Sequence, residues 1–489
     1  MNVCSVWFLM ACASLTITVH LLRGSAIRRI LLGGANLAFL AFVVPNKRSA
    51  ACLALFIVGT YAALWLLRKR PSRFLVVASI VLVVSVFLFL KRYTFLELML
   101  PERAWYSVPV VIGISYMLFR FIHMVIDQWQ GQLAPFDFAS YASYQLLFFT
   151  LVAGPIQRYN DFDHYWRSGD PPNGDEAQTL ACWNRLLTGM IKVGLLAPIA
   201  WALFEESRTY LLGAAHDQVL LRFALFFYGY PVFLYLNFSG YTDIVVAAAR
   251  LIGLTLPENF NRPYLARNII DFWNRWHISL THWIRDYVFM TLYKLGVESF
   301  PQASKLLGYG LLFFALLLAG IWHGSTADFA VFGAIHGLGA VTNQIYGDSL
   351  RSWLGRERFR AYNRSRLIHW LAILTTIHYV CFAFMFFSSG IGGTFDVLRA
   401  VRRSLVSSAG MHSGPSPAGF LLLMLTLLIL WATWKREALL AYFDRLGEHL
   451  SAKTGSLYAL VIIKLVLIAF MLISLWALEK EPEIAYMRF

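Results

Sequence analysis

Charge is scarce in this chain. Asp, Glu, Lys and Arg make up only 14% of its 489 residues, against 58% hydrophobic, and the mean hydropathy is +0.59. A water-soluble protein of this length could not hide so much apolar surface, so the composition excludes a soluble enzyme and marks a polytopic membrane protein. Cysteine is also scarce. The five residues Cys4, Cys12, Cys52, Cys182 and Cys381 are scattered, mostly inside apolar runs, with no pair at metal or redox spacing. That excludes a disulfide scaffold and leaves small core hydrophobes. No metal is expected either: His277 and His282 lie five apart, on different faces of a helix, unlike the four-apart pair of a zinc helix. No repeat, soluble domain or long linker breaks the chain, which reads as a single membrane domain. No basic residue precedes the first apolar run, so a cleaved signal peptide is not expected, and Leu9-Met10-Ala11-Cys12 is only superficially a lipoprotein cleavage box.

What is present is a set of apolar runs of spanning length: residues 3–22, 51–67, 74–90, 367–387 and 457–478. Aromatic residues, at 16%, suit interfacial belts. The net charge of +15 sits in short loops. It reads as orientation and lipid-headgroup contact, not as nucleic-acid binding. Arg351, Arg356, Arg358, Arg360, Arg364 and Arg366 crowd one loop, expected in the cytoplasm. From there residues 367–387 exit, 407–419 lie outside, 420–434 return, the basic stretch 435–453 is inside, and the last helix delivers residues 479–489 outside. Arg399, Arg402 and Arg403 fall in the outer stretch and are expected on an amphipathic interfacial helix. The layout divides into N-terminal helices (1–100), a catalytic core (101–345), C-terminal helices with basic loops (346–455) and a last helix with its tail (456–489).

Residues 256–293 are different. They mix Pro, Asn, Arg, Asp, Trp and His too densely for a lipid-facing span, and such a stretch survives at membrane depth only inside protein or along a cavity. His323 is the sharpest case, at the C-terminal end of the apolar stretch 306–321. An ionisable group there is a functional hypothesis by default; the competing reading is a buried histidine bonded to a backbone carbonyl.

Four polar islands interrupt the apolar background. The first holds Gly113-Ile114-Ser115-Tyr116 and Phe119-Arg120; the second is Gly154-Pro155-Ile156-Gln157-Arg158-Tyr159. The third runs from Phe238-Ser239-Gly240-Tyr241 through Pro257-Glu258-Asn259-Phe260 and Phe272-Trp273-Asn274-Arg275-Trp276-His277 to Arg285-Asp286-Tyr287. The fourth runs from Trp322-His323-Gly324 to His336-Gly337. Singly each has an ordinary reading: Asp271 and Arg275 as a helix-surface ion pair, the tryptophans as interface anchors, His336 as a packing residue between helices.

Together and in this order the islands resemble the membrane-bound O-acyltransferase family over residues 108–337. The resemblance implies an all-α bundle around a thinned core with a central tunnel, a catalytic histidine at His323 and a second functional histidine at His277. Within the family the chain is similar to the bacterial branch that acylates envelope polymers, and there to the members serving teichoic-acid D-alanylation. Alginate O-acetyltransferases usually continue after Arg-Asp-Tyr into a Pro-Leu-Gly-Gly turn, where this chain has Val288-Phe289-Met290-Thr291-Leu292. Ala327 and Asn237 depart from the family's usual aromatic and Asp.

The resemblance implies an acyl donor that arrives in the cytoplasm as a thioester on the phosphopantetheine arm of an acyl carrier protein. No bound cofactor is implied. His323 would act as general base, for which an ordinary imidazole pKa of about 6.5 is suited and which contributes roughly 100- to 10,000-fold. His277 would orient the thioester or steady its oxyanion. Asn274, Arg275 and Asp286 are expected in the tunnel wall, and Trp276, Ser279, Arg285, Trp322 and His336 near substrate. The acyl group is expected to be D-alanyl, with acetyl second, and the acceptor an envelope polymer, reached directly or through a partner transferase outside. The setting is the bacterial cytoplasmic membrane. The tail Ile484-Ala485-Tyr486-Met487-Arg488-Phe489 is similar to the C-terminus of a single-helix companion peptide of the D-alanylation system, which makes Tyr486 a candidate acyl acceptor, although Ile484 replaces an aromatic. A transporter or flippase is the reading from another class. It would favour two halves with matching broken helices, and the sequence has no such symmetry.

Overall fold

The computed structural model describes residues 6–21, 24–99, 111–168, 176–213 and 218–408. They form helices, short turns of helix and loops; among them the only β pairing is an isolated bridge between Phe260 and Trp276. The helices are α1 (Val6–Leu21), α2 (Ser25–Val43), α3 (Lys47–Lys69), α4 (Arg73–Leu90), α5 (Ile114–Trp129), α6 (Phe138–Gln145), α7 (Tyr159–Arg167) and α8 (Glu176–Ile191). They continue as α9 (Ala197–Leu212), α10 (Val219–Leu251), α11 (Ile269–Trp273), α12 (Ile278–Ile284), α13 (Met290–Ser299), α14 (Ser304–His323), α15 (Ala327–Arg364) and α16 (Arg366–Ser408). Residues 1–5, 22–23, 100–110, 169–175, 214–217 and 409–489, and with them most of the expected outer segment 407–419, the expected last helices and Tyr486, lie outside the described residues.

Among the described residues seven helical stretches are long and apolar enough to cross a membrane: Ser25–Val43, Lys47–Lys69, Arg73–Leu90, Gln178–Leu212, Val219–Leu251, Pro301–His323 and Arg366–Val406. Many of their apolar side chains face outward, as Phe74, Val77, Val81 and Leu82 do on α4. That is the arrangement lipid rewards and water punishes. Three stretches, Ser25–Val43, Gln178–Leu212 and Val219–Leu251, are absent from the apolar runs read in the sequence, because inward-facing polar residues interrupt them. Asn36 in α2 is an example. It is buried, donates to the Ser143 carbonyl at 3.2 Å and accepts from the Phe148 N–H at 3.0 Å.

The basic stretch 351–366, expected as a loop, is helical. α15 runs on to Arg364 with one break at Gly355, whose φ of 73° is left-handed. The stretch has no proline, its Arg, Glu and Ala are good helix formers, and its arginines point outward. α16 breaks at Gly390 (φ 69°), where the Ile391 N–H is received by the Asp328 carboxylate at 2.7 Å. Beyond the break Val397, Ala400, Val401 and Ser404 are buried while Arg399, Arg402 and Arg403 are exposed, an amphipathic face.

Of the polar segment 256–293, the part up to Ile284 is largely packed inside the protein, while residues 285–293 have no buried side chain. Asn259, fully buried, accepts from the Ser279 N–H and hydroxyl at 3.2 and 2.6 Å, and its carbonyl takes the Ile278 N–H at 3.0 Å. Buried backbone in this irregular stretch is thereby satisfied, as its depth requires.

α14 and α15 cross at two glycines. A methyl group on Gly320 would lie 2.5 Å from the Gly333 Cα and 2.5 Å from the Phe329 carbonyl oxygen. Only hydrogen fits there, so the two backbones touch, as small residues allow in membrane bundles. The contact fixes His323, three residues past Gly320, against the first turns of α15.

Candidate active site

His323 ends α14 and is 3% exposed. The last carbonyls of a helix lack partners within it. Here one is received from afar, the Tyr93 hydroxyl donating to the Ile321 carbonyl at 2.8 Å, and just past the helix the Thr94 hydroxyl donates to the Ser325 carbonyl at 2.9 Å. The end of the helix, and the imidazole on it, is held by the turn after α4.

His277 approaches from the irregular segment. It precedes α12 with φ 47° and ψ 51°, a left-handed conformation that is uncommon for a residue with a Cβ. Its side chain is fully buried. The Trp322 indole lies between the two histidines, with ring centroids 4.9 Å from His323 and 6.2 Å from His277. Trp322 is itself held by Phe119 at 5.1 Å and Tyr116 at 6.0 Å. On the other side His323 meets Phe387 at 5.3 Å and Phe332 at 6.3 Å. Phe332 in turn lies 4.6 Å from His336, whose ring stacks at 10° to Phe272.

Three histidines from three parts of the chain thus share one aromatic cage. Within it the Tyr116 hydroxyl, the Trp322 Nε1–H and the His336 Nε2 are buried and have no partner among the described residues. Unpaired polar atoms in dry surroundings are costly, and such atoms call for a polar visitor. A cavity of about 300 Å³ lies alongside α14 from Leu312 to Ala319, one helical turn short of His323. Trp273, Asn274, Thr281 and Arg285 form its opposite wall.

The other expected site residues are placed as follows. Asn274 and Arg285 line the cavity. Arg275 pairs with Asp271 at 2.7 Å, and Asp286 with Arg158 at 3.1 Å and Arg285 at 2.8 Å. Trp276 is buried against Phe272 at 5.6 Å. The Ser279 hydroxyl serves the scaffold, donating to Asn259 while accepting from the Ile156 N–H at 2.9 Å. Ser279→Ala strips the Ile156 amide of its acceptor, and a cost of about 1–3 kcal/mol is expected. Thermal unfolding in detergent should show a lower midpoint, with activity per folded molecule retained.

Two site residues escaped the sequence reading. Phe387 lies in an apolar run where nothing distinguishes one Phe from the next. Trp273, readable as an interface anchor, is instead 4% exposed and donates from Nε1 to His336 Nδ1 at 3.3 Å. Its signal is its place beside the Phe272–His277 island.

Residues 51–386, more than half of the chain, match the model of the membrane-bound O-acyltransferase family, MBOAT. The chain belongs to this family. It is an all-α, multi-pass membrane O-acyltransferase. A teichoic acid D-alanyltransferase of Bacillus subtilis is 31% identical over 332 residues, covering 66% of this chain and 79% of the relative. One from Streptococcus thermophilus is 25% identical over 72% of this chain and 86% of its own length. A probable alginate O-acetylase of Pseudomonas aeruginosa is 32% identical over 46% of this chain, but the match spans only 41% of that protein. His277, Trp322, His323 and His336 all lie inside the segment matched to the family model.

Proposed function

We propose that this MBOAT protein moves a D-alanyl group from a carrier-protein thioester, supplied in the cytoplasm, to a hydroxyl of an envelope polymer. The observation that carries the reading is the pair His323 and His277 against one indole, a turn from the end of the cavity. His323 takes the proton of the attacking hydroxyl. The oxygen bonds to the thioester carbonyl carbon, the C–S bond breaks, and the departing thiolate recovers the proton from the imidazolium. His277 orients the thioester or steadies the oxyanion while it exists. Asn274 and Arg285 guide the donor along the cavity, which would admit a slender phosphopantetheine arm.

D-alanyl is favoured over acetyl because the two D-alanyltransferase relatives match over most of their lengths, the alginate relative over less than half. Sidedness follows from charge. Lys305 at the start of α14 pairs with Asp348 at 3.4 Å, which sets that end beside the arginines of α15. By the positive-inside rule this end is cytoplasmic, and His323, at the other end of α14, lies toward the outside. The basic face would suit an acidic carrier protein.

We extend the proposal to Tyr486 as a relay that takes the acyl group first and hands it to the polymer, directly or through a partner transferase in the bacterial envelope. A phenol ionises near pH 10, more easily than a sugar alcohol, and is a better leaving group. The test is the full-length protein in vesicles, with D-alanyl or acetyl carried on an acyl carrier protein outside the face that bears the arginines. Wild type should acquire a hydroxylamine-labile D-alanyl label and pass it on; Tyr486→Phe should acquire none. Preference for the acetyl carrier would assign the protein to acetyl transfer instead. An active Tyr486→Phe protein would remove the relay.

A further inference from the structure

His336 has a hydrogen-bonding arrangement that its packing alone does not account for. It is fully buried, 0% exposed. Indole nitrogen can only donate, so the bond from Trp273 Nε1 to His336 Nδ1 at 3.3 Å makes Nδ1 the acceptor. The neutral ring must then carry its hydrogen on Nε2. That Nε2–H has no partner among the described residues. The rings around it are Phe272, Phe332 and Phe384, at 6.1, 4.6 and 6.3 Å, none of which offers an acceptor of ordinary strength. The same Trp273 that fixes the tautomer also lines the cavity.

We infer that His336 is a donor-positioning residue whose Nε2–H holds an amide carbonyl of the arm carrying the thioester. The inference rests on the acyl-transfer reading above. A carbonyl fits, because a buried N–H in apolar surroundings gains most from a neutral acceptor that arrives already stripped of water. The carbonyl is an amide of the arm rather than the reacting one, because the Phe332 ring lies between His336 and His323. An arm of the pantetheine type has such amides behind its sulfur. A simple alkyl thioester has none.

The experiment compares two soluble donors, D-alanyl-S-pantetheine and D-alanyl-S-ethyl, on the full-length protein in vesicles. Wild type should show the lower KM for the pantetheine donor. His336→Leu also leaves the Trp273 Nε1–H without its acceptor, so it should slow both donors, but it should raise the KM of the pantetheine donor roughly tenfold more than that of the ethyl donor. His336→Gln, whose amide nitrogen stands near the place of Nε2, should recover most of the preference. Equal losses on both donors, or no recovery with Gln while Leu is impaired, would make His336 a packing residue and overturn the inference. So would a wild type indifferent to the arm. Failure of the acyl-transfer reading itself looks different: wild type would use neither donor.

Discussion

His323→Ala should lower the rate of acyl transfer by roughly 100- to 10,000-fold, the contribution expected of a positioned general base. In barrier height that is about 3–5 kcal/mol. His323 closes α14, and the bonds that tie this end to Tyr93 and Thr94 are made to the carbonyls of Ile321 and Ser325, so they survive the substitution. The space left among Trp322, Phe332 and Phe387 should lower the unfolding midpoint without preventing insertion. Transfer of labelled D-alanine from the thioester donor is the readout, with thermal unfolding in detergent alongside. Loss of activity in folded protein, far beyond that of a cage variant with the same midpoint, supports the base. A variant that transfers at the wild-type rate removes His323 from the chemistry and leaves the cage with a packing role.

Gly320→Val should do the reverse, destroying the fold before the chemistry is reached. Atoms added at Gly320 meet backbone, with Gly333 Cα and the Phe329 carbonyl both at 2.5 Å from the first of them, and backbone cannot rotate aside. The helices must part, and crowding of this kind costs about 1–3 kcal/mol or more. Parting them also separates His323 from Phe332 and His336. Gly320→Ala should be milder in the same direction. The control lies on the same helix: a methyl on Gly310 has nothing within 4 Å, so Gly310→Ala should be neutral or slightly stabilising. Unfolding midpoints and monodispersity in detergent would rank the three. If Gly310→Ala and Gly320→Val behave alike, the close crossing is not what holds α14 to α15.

Both predictions trace back to features with unequal visibility in the sequence. His323 was visible because lipid makes an ionisable group expensive, so an imidazole at the end of an apolar stretch stands out. The fold class was visible for the same reason. Helices such as Lys47–Lys69 and Arg73–Leu90 carry uninterrupted apolar runs. Ser25–Val43 and Val219–Leu251 do not, because residues such as Asn36 and Asn237 face inward, and a hydropathy scan cannot tell an inward polar residue from a loop. The arginines of 351–366 show the converse confusion. Charge suggested a loop, while local propensity made a helix. Of the site, the polar islands were legible and their juxtaposition was not. The sequence gives no sign that Phe387 flanks His323, or that Trp273 hydrogen-bonds His336, because those meetings depend on how distant helices stack. The bonds of Ser279 to Asn259 and Ile156 were hidden for a related reason: a hydroxyl two residues from a candidate histidine reads as substrate contact until its partners are known.

The bonds from Tyr93 and Thr94 to the end of α14 join residues 228 and 231 positions apart. A ribosome adding about 5–20 residues per second leaves roughly 10–45 s between making the two sides. Throughout that interval the early turn has its hydroxyls ready and nothing to give them to. Assembly at this end of α14 therefore waits on synthesis: the early helices can pack on one another, but the turn after α4 meets its partners only once the late helix that ends in His323 has arrived.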